Sequence, residues 1–218
     1  MGSRRAAASP TASAPARKPA IMPLPDPAAR RSVHHRVIDM QTYAREDGLY
    51  DVEARLVDRK PFPFQLMSSD DPLPAGEALH DLWIRLTVDD AYVIRDIVAA
   101  SDATPWPLCK EATDTLRVLV GERIARGWTA MVKDRLRGAA SCTHLMEMLV
   151  PMATTALQGI RGLQRDTPLL MGEERAREKI DSCFAYGRDR EVVKMLWPRH
   201  AAGRPDGDGP PEGTRTTA

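Results

Sequence analysis

The sequence lacks long apolar runs and an excess of charge of one sign. No segment approaches the roughly 18 consecutive apolar residues of a membrane-spanning helix. Lys and Arg number 31 against 30 Asp and Glu, so the formal net charge is only +1. A nucleic-acid-binding domain needs clustered basic residues, which this balance does not supply. These absences predict a protein that neither spans a membrane nor binds nucleic acid.

Cysteine pairs are also lacking. The three cysteines, Cys109, Cys142 and Cys183, are odd in number and widely spaced, so they do not form a disulfide framework. The first residues contain no uninterrupted apolar segment of the kind found in secretory signals. Both observations predict a protein of the reducing cytoplasm.

Nucleotide-binding and zinc-protease motifs are missing as well. The sequence contains no P-loop, no GxGxxG and no HExxH. Nucleotide-dependent chemistry and zincin-type proteolysis are therefore disfavoured, and no organic cofactor is expected.

The two ends of the chain differ in composition from its middle. Residues 1–32 are rich in Ala, Pro, Ser and Arg, and residues 199–218 are rich in Gly and Pro. Neither end has enough apolar residues to form a core, so both are expected to be disordered. Residues 33–198 have the length of one ordinary domain.

The first half of this domain alternates between apolar and polar residues, as β-strands do. Apolar residues at every second position from Tyr50 to Leu56 predict a strand with one buried face. Asp47 and Gly48 precede it, and Asp-Gly is a strong hairpin signal. The predicted strands, which we expect to form an antiparallel meander, are His34–Arg45, Leu49–Asp58, His80–Val88 and Tyr92–Ala100.

From Pro105 onward, apolar residues recur every three or four positions, as on one face of an α-helix. The longest predicted helix is Thr143–Leu163. Pro151 lies inside it and removes the hydrogen bond to the carbonyl of Glu147, so we expect a kink. The fold class is therefore α+β, with about four strands packed on a helical half that contains one long kinked helix. The other predicted helices are Glu111–Val120, Trp128–Leu136, Glu173–Phe184 and Glu191–Trp197.

The stretch SCTHLMEMLVP, from Ser141 to Pro151, contains the main candidate catalytic residues. With Ser141 as the N-cap, Cys142 lies at the positive end of the helix dipole, which favours a thiolate. His144 and Glu147 are three residues apart and share a helix face. This arrangement suits a thiolate with a proton shuttle. Alternatively, the cysteine fills a core and the histidine only caps the helix.

Cys109 lies at a similar junction between a predicted strand and a predicted helix. With Cys142 and His144 it provides three ligands, two thiolates and one imidazole, that suit zinc or iron, although the spacing matches no closed zinc motif. Cys183 has apolar neighbours in a predicted helix and is interpreted as a core residue.

A second candidate site lies on the sheet. Glu53 and Arg85 occupy the strand faces opposite the aliphatic residues, where a carboxylate and a guanidinium suit substrate binding. His80 at a strand start and Trp106 are candidates for the same site. Alternatively, this face is exposed to solvent and the charges are ordinary surface residues.

Five motifs in order resemble the bacterial family known as domain of unknown function 2889. They are REDGLYDVEARLVDRKPF, AGEALHDLWIRLTVD, DATPWPLC, SCTHLMEMLVPMATTA and DSCFAYGRDREVVKMLWP. The resemblance runs from His35 to Pro198 and implies a family but no activity. Topologically, the chain also resembles the iron–sulfur cluster scaffold proteins, whose junction cysteines bind zinc or a cluster. Only Cys109 and Cys142 match that pattern, and the spacing differs.

Three functions are compatible with these observations. We expect first a cytoplasmic enzyme acting on a small molecule by acid–base or thiol chemistry, as a cofactor-independent or metal-dependent lyase or hydrolase. Its place in the catabolism of aromatic or acyl compounds is a hypothesis. The alternatives are a protein that binds zinc, iron or an iron–sulfur cluster, and a non-catalytic ligand-binding or assembly domain. The expected partner is a small molecule, and a homo-oligomer is left open.

Overall fold

The computed structural model describes residues 24–163 and 172–201, and most of the two predicted disordered tails lies outside them. Its four strands are β1 (His35–Ala44), β2 (Tyr50–Arg59), β3 (Ala78–Val88) and β4 (Ile94–Ala103). They form one antiparallel sheet in the order β1-β2-β3-β4. The predicted meander is confirmed.

The connection between β1 and β2 is the predicted hairpin. Gly48 has a φ of 83°, in the left-handed region that glycine enters without steric cost. The N–H of Arg45 donates to the carbonyl of Leu49 at 2.9 Å and closes the turn. The turn thereby sets the register of β1 against β2, in which Thr42 lies opposite Val52.

The described chain after β4 is largely helical, which confirms the α+β class. The bounds of α1 and α2 are those predicted, and α2 is one continuous helix through Pro151. The expected kink stays a prediction. The helix predicted at Glu173–Phe184 ends at Lys179, before Asp181 adopts a φ of 62°. The α-helices are α1 (Trp128–Leu136), α2 (Thr143–Leu163), α3 (Glu173–Lys179) and α4 (Glu191–Leu196).

The segment predicted as the first α-helix is instead a 3₁₀ helix, Pro107–Leu119. Residues three apart lie on the same side of a 3₁₀ helix. Leu116 and Leu119 have this spacing, and both are buried. The hydroxyls of Thr113 and Thr115 donate to carbonyls three residues earlier, at 2.9 and 2.6 Å. Burial and hydrogen bonding therefore both suit the three-residue turn.

One face of the sheet, here called the inner face, packs against the helices. Direct cross-strand neighbours on β2 and β3 pair along this face, and their side chains are at most 2% exposed. Side chains of α1, α2 and the 3₁₀ helix belong to the same apolar core. The opposite face is here called the outer face. The inner-face pairs are Val52 with Leu86, Ala54 with Ile84, and Leu56 with Leu82.

Candidate functional site

The inner face ends in polar residues. Beyond the Leu56–Leu82 pair, the same register places Asp58 opposite His80. On the other side of Asp58, β1 contributes Arg36 as its direct neighbour. Three adjacent strands thus bring a carboxylate, an imidazole and a guanidinium together, next to the first residues of α2. The group called the polar cluster below comprises His34, Arg36, Asp58, His80, Cys142, His144 and Glu147.

Asp58 is the centre of the polar cluster. Its side chain is only 1% exposed, yet both carboxylate oxygens have donors. Arg36 donates from Nε and Nη2 to Oδ1 and Oδ2, each at 2.7 Å. His34 Nε2 lies 3.2 Å from Oδ1, and His80 Nδ1 lies 3.0 Å from Oδ2. A buried carboxylate needs such partners to offset its lost hydration.

These partners determine the charge state of Asp58. Burial alone raises the pKa of the Asp58 carboxyl. The hydrogen bonds and charge of Arg36, with smaller effects from His80 and His34, outweigh burial and leave the pKa below its ordinary value. Asp58 is therefore a carboxylate at neutral pH and accepts hydrogen bonds from its neighbours.

His80 and His144 form a close pair of imidazoles. Their ring centroids are 4.0 Å apart, and the rings are tilted by 39°. Burial and the nearby His144 lower the pKa of His80, and the favourable effect of Asp58 does not restore it. In neutral His80, a proton on Nδ1 is donated to Asp58, which leaves the lone pair on Nε2. Asp58 thus selects one tautomer of His80.

Cys142 and His144 belong to the start of α2. The carbonyl of Cys142 accepts the N–H of Met146 at 3.0 Å, so Cys142, and not Ser141, occupies the cap position. The hydroxyl of Ser141 instead pairs with Thr115 at 2.7 Å. Cys142 therefore lies one position earlier in the helix than the sequence interpretation assumed.

The thiol of Cys142 is surrounded by donors. Its Sγ lies 4.0 Å from Nδ1 of His144. Burial raises the pKa of the Cys142 thiol, but His144 and the backbone N–H groups of Leu145 and His144 outweigh it and lower the pKa. Part of the predicted thiolate environment is thus present in the structure.

Glu147 connects α2 to the sheet. Its Oε2 lies 3.4 Å from Nη1 of Arg36, the same guanidinium that binds Asp58. Its side chain is 51% exposed. Glu147 therefore lies at the rim of the polar cluster and contacts Arg36, and not His144 as its spacing in the sequence predicts.

The other predicted substrate-binding residues lie elsewhere. Glu53 and Arg85 are direct neighbours on the outer face, where Arg85 Nε donates to Glu53 at 2.7 Å. They line a shallow depression of about 400 Å³ together with Trp83 and Val98. Of the predicted set, only His80 lies on the inner face and joins the polar cluster. Trp106, just before the 3₁₀ helix, is 48% exposed.

The predicted metal ligands are also separated. Within residues 24–163 and 172–201, the His, Cys, Asp and Glu side chains that come close enough to share an ion are those of Asp58, His80 and His144. Of the predicted set only His144 belongs to this group, while Cys109 is half-buried in the 3₁₀ helix. Cys183 is exposed, so its interpretation as a core residue is wrong.

Sequence reasoning missed Asp58 and Arg36, and it gave no role to His34. One signal was present for Asp58. The inward positions of β2 alternate through Val52, Ala54 and Leu56, and the next inward position is Asp58. A charged residue that continues a buried apolar stripe needs a partner. No comparable signal marks Arg36, because its role depends on which strand pairs with β2.

One known protein family matches the chain, and the match covers the polar cluster. The sequence profile described as "Protein of unknown function (DUF2889)" matches residues 34–158, more than half of the 218-residue chain. The chain belongs to this family. The DUF2889 segment contains every residue of the polar cluster, from His34 to Glu147. No curated protein and no solved structure matches the chain.

Two expectations bear on the DUF2889 protein as a whole. The resemblance to iron–sulfur scaffold proteins stays a prediction. In the described part of the chain, no helix has the length and apolar character needed to cross a bilayer.

Proposed function

We propose that this DUF2889 protein is an enzyme that acts on a small molecule by proton transfer, with His80 as the acid–base residue. The observation that carries the proposal is the hydrogen bond between His80 Nδ1 and Asp58 Oδ2, 3.0 Å long and buried. A carboxylate that holds one nitrogen of a histidine leaves the other nitrogen available to exchange protons with a substrate. The reaction is then that of a lyase or a hydrolase.

Arg36 supports this role from the far side of Asp58. Its two hydrogen bonds hold the carboxylate plane fixed and keep Asp58 ionised. An ionised Asp58 stabilises the imidazolium that forms when His80 takes a proton. Orientation and charge thus both favour His80 as a base.

Cys142 and His144 supply a second reactive pair next to His80. The thiol lies at the start of α2, where backbone N–H groups and His144 favour its ionised form. In a hydrolase, a thiolate at this position adds to a substrate carbonyl. His144 Nδ1 lies 4.0 Å from the thiol, and the His144 and His80 ring centroids are 4.0 Å apart, so the thiol and both imidazoles border the same site.

The proposal extends to the cellular location of the protein and to its binding partner. Three unpaired cysteines suit a reducing compartment, so we place the protein in the cytoplasm. The half-buried polar cluster suits a small molecule, and aromatic or acyl compounds are the substrate classes that we would test first.

A substrate panel tests the proposal. The full chain is incubated with p-nitrophenyl esters and acyl thioesters, and with aromatic carbonyl compounds in deuterated water. Chromophore release and deuterium incorporation are the two readouts. We expect turnover of at least one class, with a loss of about 100-fold or more in kcat/KM for His80→Gln.

Matched variants separate acid–base from thiol chemistry. Glu53→Gln removes a carboxylate from the outer face and should leave turnover unchanged. Cys142→Ser abolishes turnover if the thiol reacts, whereas Cys109→Ser should have no effect. Equal turnover in the wild type and His80→Gln would refute the proposal. Absence of turnover across the panel would favour a non-catalytic binding domain.

A further inference from the structure

The end of the sheet at which Asp58 and His80 lie also has side chains that can coordinate a metal ion. One ligand atom from each of Asp58, His80 and His144 lies within 4.8 Å of the other two. Asp58 and His80 are buried, and His144 is half-buried. They come from β2, β3 and α2, three elements that meet only in the folded chain.

The distances between these ligand atoms are close to those found around a bound metal ion. Ligands about 2.1 Å from a common ion lie about 3 to 3.5 Å from one another. His80 Nδ1 and Asp58 Oδ2 already have this separation, at 3.0 Å. His144 is in the first turn of α2 and half-exposed, so rotation of its side chain can close the remaining gap.

The donor types select the class of metal. Two imidazoles and one carboxylate suit divalent transition metals such as zinc, iron or cobalt, whereas magnesium and calcium prefer oxygen ligands. Three protein ligands also leave coordination positions open for water or a small molecule.

The charge of the polar cluster favours a cation. With neutral histidines, Asp58 and Glu147 give two negative charges against the single positive charge of Arg36. The rings of His80 and His144, with centroids 4.0 Å apart, provide two nitrogen ligands beside this net negative charge.

We propose that Asp58, His80 and His144 bind one divalent transition-metal ion, and that the bound ion blocks proton transfer by His80. A metal ion bound to Nδ1 of His80 would replace the proton there, which moves through water to Nε2, and Asp58 would exchange its hydrogen bond from His80 for a coordinate bond. Nε2 then carries a proton and has no lone pair to accept one from a substrate. The metal-bound and proton-transferring states therefore exclude each other. The blocking effect rests on the proposed function, but metal binding does not.

Metal titration of the full chain tests the site directly. The protein is treated with a chelator, dialysed and titrated with Zn²⁺ in a calorimeter, and its cobalt complex is examined by absorption spectroscopy. We expect one ion per chain, with a dissociation constant in the micromolar range or below. The cobalt spectrum should lack a thiolate charge-transfer band, because Cys142 is not in the ligand set.

Variants identify the ligands. His144→Ala changes a half-exposed residue and should abolish stoichiometric binding without unfolding the chain. His80→Gln should do the same, with circular dichroism as the check on folding. His200→Ala is the control, because His200 pairs with Glu173 at 2.7 Å on the surface and should not affect binding. No binding to the wild type, or a thiolate band that disappears in Cys142→Ser, overturns the assigned site.

Turnover separates this inference from the proposed function. Adding Zn²⁺ should suppress the activity found in the substrate panel, and a chelator should restore it. If Zn²⁺ does not bind but His80→Gln still loses turnover, the metal site fails and the proposed function stands. If Zn²⁺ binds but no substrate turns over, the proposed function fails and only the site remains. An increase of turnover with Zn²⁺ would overturn the blocking role.

Discussion

At the scale of single residues, the burial of Asp58 has a direct energetic consequence. Its carboxylate is almost fully removed from water, and Arg36 is the cation that binds both of its oxygens. Breaking such a pair costs more than the pair itself contributes, because the remaining charge is left without compensation. Arg36 therefore stabilises the fold as well as orienting Asp58.

Arg36→Gln should reveal this energy. We expect the free energy of unfolding to fall by about 2–3 kcal/mol, less than for a fully buried pair because the Arg36 side chain is 33% exposed. Urea unfolding followed by circular dichroism measures the change.

The control is another cross-strand pair of the same chemistry. Arg85 also binds a carboxylate on the neighbouring strand, but on the outer face, and its side chain is 51% exposed. Arg85→Gln should change the stability by less than about 0.5 kcal/mol. Similar losses in the two variants would contradict the special role of Arg36.

The two halves of the polar cluster differ in how far sequence predicts them. Cys142 and His144 were found because local rules apply to residues near the start of one helix. Asp58 and Arg36 depend on strand pairing across 22 residues, and alternation in one strand does not say which strand lies beside it. His80 was among the candidates, but it was grouped with Glu53 and Arg85 of the outer face. Buried and exposed positions alternate along β3, and His80 lies two residues before the buried Leu82, which places it on the inner face.

At the scale of elements, α2 packs closely against β1. A Cβ added to Gly159 of α2 would lie 2.6 Å from Cβ of Thr42 and 2.8 Å from its Cγ2. The Thr42 hydroxyl also donates to the carbonyl of Thr155 at 3.2 Å. Gly159 therefore allows the helix to lie directly against an edge strand of the sheet.

Gly159→Ala should force α2 and β1 apart. We expect a loss of about 1–3 kcal/mol in the free energy of unfolding, because the new methyl group overlaps Thr42. Thermal unfolding measured by circular dichroism provides the test.

Gly162 in the same helix is the matched control. A Cβ there meets no atom within 4 Å. Gly162→Ala should be neutral or stabilising by up to about 1 kcal/mol, because alanine has the higher helix propensity. Equal destabilisation of both variants would show that the loss of helical glycine, and not contact with Thr42, matters.

The elements themselves were largely predictable. β2, β3 and the bounds of α1 and α2 followed from periodicity, because each of these elements buries one face. β1 contains no buried residue and followed instead from the hairpin signal at Asp47 and Gly48. The 3₁₀ segment was mistaken for an α-helix, since apolar residues three positions apart fit both structures. The hydroxyls of Thr113 and Thr115 donate to carbonyls three residues earlier in this tighter turn. Apolar periodicity does not reveal these hydrogen bonds.

At the scale of the whole molecule, one apolar core joins the sheet to the 3₁₀ helix, α1 and α2. Buried residues of α3, α4 and the residue after α4 lie outside that core; they are Ala176, Val193 and Trp197. The family profile likewise ends within α2, at residue 158. The sheet and the first helices therefore form the unit that has to fold together.

Leu86→Ala tests this unity. Leu86 is fully buried on β3, and its truncation should cost about 2–5 kcal/mol. Because sheet and helices share the core, circular dichroism and tryptophan fluorescence should still report one coincident transition, at lower urea.

The control for this variant lies on the opposite face. Val98 of β4 is 46% exposed on the outer face, so Val98→Ala should shift the transition far less. Two separate transitions in Leu86→Ala would show that the sheet and the helices unfold independently.

The polar cluster is made from β1, β2, β3 and α2, and its members Arg36 and Glu147 are 111 residues apart. Bringing such distant segments together has an entropic cost that only the completed fold offsets. A chain that has not yet acquired α2 has Asp58 and His80 but neither His144 nor Cys142. Binding or chemistry at the polar cluster can therefore arise only after the last of these segments has been synthesised and correctly docked.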